Sequence, residues 1–565
     1  MKFNKTTRST REIVAWLWRH HKGCRMQAAV NVLCGLGLVA LGLCGVEAIR
    51  LLTDIATGAR PGSLALTAVA LAVILIAELG LHVLSTWVQA VLGVRSQNQL
   101  QQFFFHRILR GRWQGVERFH SGDVLNRLFG DVGDIVRLLT EVLPFAIVTI
   151  TQFVASFVYL YIMDWALAVI LIIVSPLFVA LSRYYFSRMR RIVRRIKDTG
   201  SALQAIIQEN VQHRMVVKVM EQEARQVARL ERRQQLLRRQ VKARARLAIF
   251  TKSLVHIGFA GGYLVALVYG LFQLQQGLIT VGVLMAFTQL IHRIQRPMVD
   301  MARLLPTFVG SFTSCERLME IEELPLEPAA LPASGEAAWE DTAGALGIRF
   351  SEVSFAYADT RKPVLSHFSY DFLPGTTTAV LGATGAGKTT LLRLMLALVE
   401  PCEGSVTLVD HSGRTSPVSI ASRHLFSYVP QGNTLFSGTI GENLRLGNPA
   451  ATQAQMEQAL RTAQADFVLR LPHGLGTRCG EGGGGLSEGQ AQRIAIARAL
   501  LRPCRFLLLD EATSALDIDT ENTLLTHLKS HLKDTTIIFV THRLAVAEFA
   551  DRQFTLAPLP RSPHD

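Results

Sequence analysis

Long stretches without charge alternate with strongly basic ones along this chain. Residues 26–46, 143–163 and 165–182 carry no charge, and 253–291 holds His256 as its single ionisable group. Residues 63–94 are apolar around two ionisable groups, Glu78 and His82. A helix crosses a bilayer core with roughly 20 apolar residues, so each shorter run spans once and the longest must double back. Its turn is predicted within Phe272–Gly282, which gives six spans.

The polar stretches orient these spans. Residues 187–252 hold 18 Lys or Arg against 5 Asp or Glu, whereas the opposite side carries Arg60 as its basic residue. The positive-inside rule makes the basic segment cytoplasmic, and with it both termini, in a cell (inner or plasma) membrane. A formal charge of +15 is therefore accounted for by membrane orientation, and a nucleic-acid partner is not implied. The 187–252 segment is rich in helix formers and reads as two long helices leaving the bilayer and returning, with a tip near Gln212–Lys218. Residues 1–25 read as an interfacial amphipathic helix, because basic residues alternate with Trp and Val and no signal peptide is recognisable. The 7 cysteines form no CxxC pair, so neither a disulfide framework nor a zinc site is implied.

After Met319 the composition turns to Pro, Ala and acids, a linker over 321–347. From 348 onward short apolar runs alternate with helical stretches in the manner of an α/β domain of buried strands and crossover helices. The run "TTTAVLGATGAGKTTLL" places Gly382-Ala383-Thr384-Gly385-Ala386-Gly387-Lys388-Thr389-Thr390 between a strand and a helix, the P-loop pattern. Its N–H groups can cradle phosphate oxygens, Lys388 can reach the outer phosphates, and Thr389 can ligate Mg²⁺. "RFLLLDEATSALD" ends an apolar strand on Asp510, suited to the Mg²⁺ shell, with Glu511 beside it to activate or orient the attacking water.

With these motifs the chain resembles an ABC transporter, specifically an exporter-type half-transporter. The resemblance implies an all-α six-helix transmembrane domain (26–320) with long cytoplasmic helical extensions, followed by an α/β P-loop ATPase domain (348–565). It further implies that Tyr357 stacks on adenine, that Gln431 senses Mg²⁺ and the reacting water, and that His542 contacts the γ-phosphate. The "SALD" loop, Ser514–Asp517, would meet a second subunit, and "GEGGGG", Gly480–Gly485, would touch that subunit's cytoplasmic loops. Ser487, Gly489 and Gln490 would meet the ATP of a partner, so a dimer is implied: a homodimer if this complete motif set serves both sites, or a heterodimer with a distinct half whose sites are degenerate. The family's LSGGQ reads Leu486-Ser487-Glu488-Gly489-Gln490 here. Ser487 and Gln490 have capping-box spacing, which puts Glu488 in a first helical turn, where a carboxylate is favourable.

By the same resemblance Glu117–Ile135 and Gln212–Lys218 are loops that dock on the ATPase domains, with Met215 and Val216 as coupling residues. Ionisable or polar groups in or near the spans are candidates for substrate contact: Glu78 and His82, four apart on one helix face, and also Glu47, Gln152, His256, Gln289 and His292. The functional reading is ATP-driven export of an amphipathic, lipidic or peptide-like substrate by alternating access. The alternatives are an ATP-gated channel or regulatory subunit, or an importer on the same fold.

Overall fold

A computed structural model describes the chain except for residues 1–7, 21–24, 120, 329–343, 358–362, 481–483, 544–546 and 558–565. The described residues divide into two compact units, one within residues 7–105 and 122–322, the other within residues 106–121 and 323–565.

The first unit is helical. A short helix, α1 (Thr10–His20), precedes α2 (Arg25–Ala56) and α3 (Leu64–Leu109). Ile13, Trp16 and Leu17 of α1 are buried, and the Trp16 indole donates to the Glu322 carboxylate, so the apolar side of this helix is covered by the chain itself. The polypeptide after α3 is broken into α4 (Trp113–Val116), α5 (Ser121–Asn126) and α6 (Val132–Arg137), with π-helical turns at Arg127–Asp131 and Leu138–Val142. Then come α7 (Leu143–Met163), α8 (Trp165–Gln212), α9 (Arg214–Val219), α10 (Glu223–Gln275) and α11 (Val281–Glu322). The six long helices coincide with the six expected spans, and the α10–α11 turn lies inside Phe272–Gly282. Among the described residues, four stretches are long and apolar enough to cross a membrane: Arg25–Ala56, Leu64–Leu109, Gly122–Met163 and Ile257–Gln275.

The reversal between α7 and α8 needs a single residue, because Asp164 turns extended and its carboxylate accepts the Leu167 N–H at 2.9 Å, an N-cap. The bundle core joins Val46, Leu160, Leu167, Ala266, Phe287 and Leu290, drawn from five of the long helices. Below the spans, charge does the joining. Arg127, almost fully buried, meets Asp123 at 2.9 Å and Glu320 at 2.8 Å, while Arg317 meets Asp123 at 2.6 Å and Asp131 at 3.1 Å.

In the second unit, β1 (Gly347–Ala356), β2 (Pro363–Phe372), β4 (Glu403–Val409) and β5 (Thr415–Pro417) form an antiparallel sheet in the order β2-β1-β4-β5. A parallel sheet runs β11-β3-β10-β9-β6, from β3 (Thr377–Leu381), β6 (Phe426–Val429), β9 (Phe506–Asp510), β10 (Thr536–Val540) and β11 (Arg552–Thr555). A two-stranded ribbon pairs β7 (Gly438–Thr439) with β8 (Arg478–Cys479). Strands β3, β9 and β10 are buried at every position, as expected of a parallel sheet covered on both faces. Their side chains alternate between two cores. Ala379, Leu507, Leu509, Ile537 and Phe539 pack with α13 (Ile440–Arg445), α14 (Gln453–Thr462), α15 (Glu488–Leu500) and α16 (Ile518–His531). Val380, Phe506, Leu508 and Ile538 pack with α12 (Lys388–Met395) and the antiparallel sheet.

Residues 106–121 cluster with the ATPase residues. The physical tie is a β-bridge between Gly111 and Leu326, flanked by Arg112 N–H to Pro325 O at 2.9 Å and Glu327 N–H to Arg110 O at 2.8 Å.

Candidate ATP site

The parallel sheet assembles the site. Strand β3 neighbours β10, which neighbours β9, which neighbours β6, with Val540 opposite both Val380 and Asp510, and Val429 opposite Leu509. All four strands run the same way, so the residues just past their ends converge: the Gly382–Gly387 loop, His542, Asp510 with Glu511, and Gln431. Ligand sites in such sheets lie at the carboxyl ends of the strands.

The loop after β3 depends on glycine where the backbone is left-handed. Gly387, at φ 100°, is the N-cap of α12, and a Cβ on Gly382 would stand 2.7 Å from the Leu556 carbonyl oxygen. Lys388 opens α12 and folds back to donate to the carbonyls of Gly382 at 2.7 Å and Ala383 at 3.1 Å. It is buried, and burial pulls its ammonium below the ordinary lysine range against the raising effect of Glu511 and Asp510. The Thr389 hydroxyl donates to Asp510 at 3.2 Å, as does the Tyr428 phenol at 3.3 Å. Burial pushes the Asp510 carboxyl up, partly offset by those two hydrogen bonds. A hydroxyl and a carboxylate on adjacent elements are hard oxygen donors, a fitting pair for Mg²⁺.

Glu511 is held in an uncommon backbone conformation, φ 50°, immediately after β9. One carboxylate oxygen accepts from Gln431 Nε2 at 2.6 Å and the other meets His542 Nε2 at 2.6 Å. Lys388 Nζ lies 3.4 Å from the same His542 nitrogen. Glu511, Gln431, His542, Lys388, Thr389 and Asp510 are thus one connected cluster, in which a carboxylate is aimed by two neighbours.

Tyr357 stands at the end of β1, its ring edge-on to Phe355 with centroids 4.9 Å apart. Its hydroxyl contacts Thr390 Oγ1 at 3.2 Å and accepts from Arg393 at 2.8 Å. The signature segment makes its contacts elsewhere. Ser487 caps α15 by accepting the Gln490 N–H at 3.2 Å while the Gln490 side chain accepts the Ser487 N–H at 3.0 Å, the capping box anticipated from spacing. Glu488 is exposed in the first turn. Gly489 packs against the Ser514–Asp517 loop, and buried Gln492 binds that loop through the Ala515 N–H at 3.2 Å and Ser514 Oγ at 3.4 Å. Among the described residues no contact ties Ser487, Gly489 or Gln490 to the P-loop of the same chain. Of the glycine run before it, residues 481–483 lie outside the described residues.

Several site residues carried no sequence signal. Tyr428, Arg393 and Gln492 each act through a partner distant in the chain, which spacing cannot reveal. In the helical unit, Glu78 and His82 make no side-chain hydrogen bond with each other, and His82 is exposed. Glu47 is occupied by Arg50 at 3.2 Å and by the Tyr159 hydroxyl, and His292 lies 5.5 Å from the Tyr263 ring. The His256 side chain lies outside the described residues. At the hairpin tip, Met215, Val216, Val219 and Met220 are all exposed, apolar side chains on or beside α9.

Comparison with known proteins places this geometry. Residues 30–298 match the family model for the ABC transporter transmembrane region, and residues 365–514 the family model described as ABC transporter. The chain is 30% identical over 459 residues to an ATP-dependent lipid A-core flippase of Chromobacterium violaceum, covering 80% of this chain and 77% of that one. It is 29% identical over 521 residues to a serine protease/ABC transporter B family protein of Dictyostelium discoideum, of whose length it spans 29%. Its fold is similar to a bacterial Atm1-family ABC exporter with ATP bound, at a TM-score of 0.75 and 23% identity, over 95% of this chain and 94% of the other. A P-loop cluster at the strand ends and a multi-pass helical unit on one polypeptide thus belong to a single known design: this chain is a member of the ABC transporter family, a membrane ATPase that couples hydrolysis to transport.

Proposed function

We propose that this half-transporter exports an amphipathic, lipid-like substrate from the inner face of a cell membrane by alternating access, working as a homodimer. The observation that carries the reading is the Glu511 carboxylate, aimed by Gln431 and His542 beside Lys388, Thr389 and Asp510. A gated channel or a regulatory subunit does not need a carboxylate poised for water activation. A pump does.

ATP would bind with its phosphates in the Gly382–Gly387 cradle, replacing the two carbonyls that Lys388 now satisfies. Thr389, Asp510 and Gln431 would hold Mg²⁺, which when bound neutralises phosphate charge. Glu511 would take the proton of the attacking water, and His542 would hold the γ-phosphate. The adenine would lie on the Tyr357 ring. The second composite half of each site would come from Ser487, Gly489 and Gln490 of the other copy, consistent with their standing apart from the P-loop of their own chain. Closure of two ATPase units would then move the helices through the exposed tip carrying Met215 and Val216. A lipid-like cargo is supported by the name of the flippase relative and by the polar positions Glu78 and His82 within the apolar stretch of residues 63–94.

The test is ATPase stimulation and substrate movement in reconstituted vesicles across a panel of amphiphiles, with Glu511→Gln as the control. Loss of a positioned general base should slow hydrolysis by about 10²- to 10⁴-fold while leaving ATP binding intact. A Glu511→Gln protein that hydrolyses like the parent refutes the assignment.

A further inference from the structure

Arg393 is placed where two distant parts of the chain meet. It projects from α12, the helix that Lys388 opens, so its position is set by the phosphate end of the site. One guanidinium nitrogen donates to the Tyr357 hydroxyl at 2.8 Å, and another meets the Glu117 carboxylate at 2.9 Å. The same guanidinium lies 5.9 Å from the Trp113 ring centroid and 6.0 Å from that of Tyr357. Trp113 and Glu117 belong to the 106–121 segment that leads out of α3, and that segment is fastened to residues 325–327 by the bridge at Gly111. Glu327 in turn makes two hydrogen bonds with Arg423, at 2.7 and 2.9 Å. The segment is therefore anchored at one end and touches the Tyr357 clamp at the other.

A guanidinium is planar and always charged, and its donors point in fixed directions. With one side on a carboxylate and the other on a phenol, it cannot follow a shift of Glu117 and also keep its bond to Tyr357. We infer that Glu117 and Arg393 are positioning residues for the Tyr357 ring, so that the first cytoplasmic loop sets ATP affinity at the base end of the site. This rests on the reading of Tyr357 as the adenine platform. The base end is then held separately from the phosphate machinery at Glu511.

The experiment uses the full-length transporter in vesicles, measuring ATPase rate against ATP and against GTP. The variants are Glu117→Gln, Arg393→Lys, Tyr357→Phe, Tyr357→Ala and the Glu117→Gln/Tyr357→Phe pair. Glu117→Gln, Arg393→Lys and Tyr357→Phe should each raise the KM for ATP about three- to tenfold, as expected for one charge-assisted contact at a half-exposed site. The kcat of Glu117→Gln and Arg393→Lys should stay within about twofold, and their KM for GTP should rise alongside that for ATP because a stacking ring does not read the base edge, a split that a merely structural role would not produce. In the pair, Glu117→Gln should add nothing to Tyr357→Phe, since the relay ends at the hydroxyl. The inference is overturned if Tyr357→Ala raises KM while Glu117→Gln and Arg393→Lys do not, or if the effects of the pair multiply. A Tyr357→Ala protein with unchanged KM overturns the platform reading itself, and the relay with it.

Discussion

Two adjacent positions in the signature segment should respond differently to small changes, although one of them departs from the family pattern. A Cβ added at Gly489 would stand 2.8 Å from the Ala515 carbonyl oxygen and 3.3 Å from Leu516 Cδ2. The loop cannot simply yield, because Gln492 holds Ala515 and Ser514 from the same helix. Overpacking of this kind costs roughly 1–3 kcal/mol, while replacing glycine by alanine in a helix returns about 0.8–1 kcal/mol. Gly489→Ala should therefore lower stability by about 0–2 kcal/mol, yet push α15 away from Ser514–Asp517 by a few tenths of an ångström. If Ser487 and Gly489 serve a partner's ATP, steady-state ATPase should fall at least about tenfold, since each 1.4 kcal/mol of lost transition-state binding is a factor of ten. Glu488 is exposed, and its favourable place at the helix start is worth about 0.3–1 kcal/mol. With the roughly 0.5–1 kcal/mol cost of glycine in a helix added, Glu488→Gly should cost about 1–2 kcal/mol of stability and leave ATPase within a few-fold. Normal ATPase in Gly489→Ala would refute the packing argument. A strong rise in Glu488→Gly would show that the carboxylate repels phosphate, and would mark this chain as one half of an asymmetric pair.

Other consequences follow from charge. Arg127 is buried, but Asp123 keeps Arg317 and the Glu320 carboxylate is half-exposed, so Arg127→Ala should destabilise the helical unit by only about 1–3 kcal/mol, read as a lower unfolding midpoint in detergent. Within the ATPase unit, burial works to raise the Asp551 carboxyl, but its hydrogen bonds with Lys529 and the Thr377 N–H prevail and hold it below the ordinary range. A depressed carboxyl contributes stability that is present above the unfolded value of about 3.9 and lost as pH falls through the folded one. The thermal unfolding midpoint should therefore fall in that acidic window, and Asp551→Asn should flatten the decline; an identical pH profile in the variant would refute the linkage.

Much of the architecture was legible because its causes are local. A run of about 20 apolar residues has one stable course through a bilayer, and the basic hairpin has few alternatives to helix. The capping box at Ser487 and Gln490 formed as spacing predicted, since its partners are three residues apart. The tie between Gly111 and Leu326 left no such local trace, because the two residues lie far apart in the chain.

The sequence by itself therefore determined the spans, the P-loop, the helix starts and the order of domains, each written in contiguous residues with a single favourable local geometry. What only the tertiary structure decided is convergence. The strand order β11-β3-β10-β9-β6 brings Gln431, Glu511, His542 and Lys388 together from positions up to 154 residues apart. It also placed Tyr428 on Asp510, Gln492 on Ser514, and Arg393 between Glu117 and Tyr357. Such contacts depend on which strands pair and which loops are fastened, and hydrogen bonding across a sheet leaves no periodic trace in the chain that makes it.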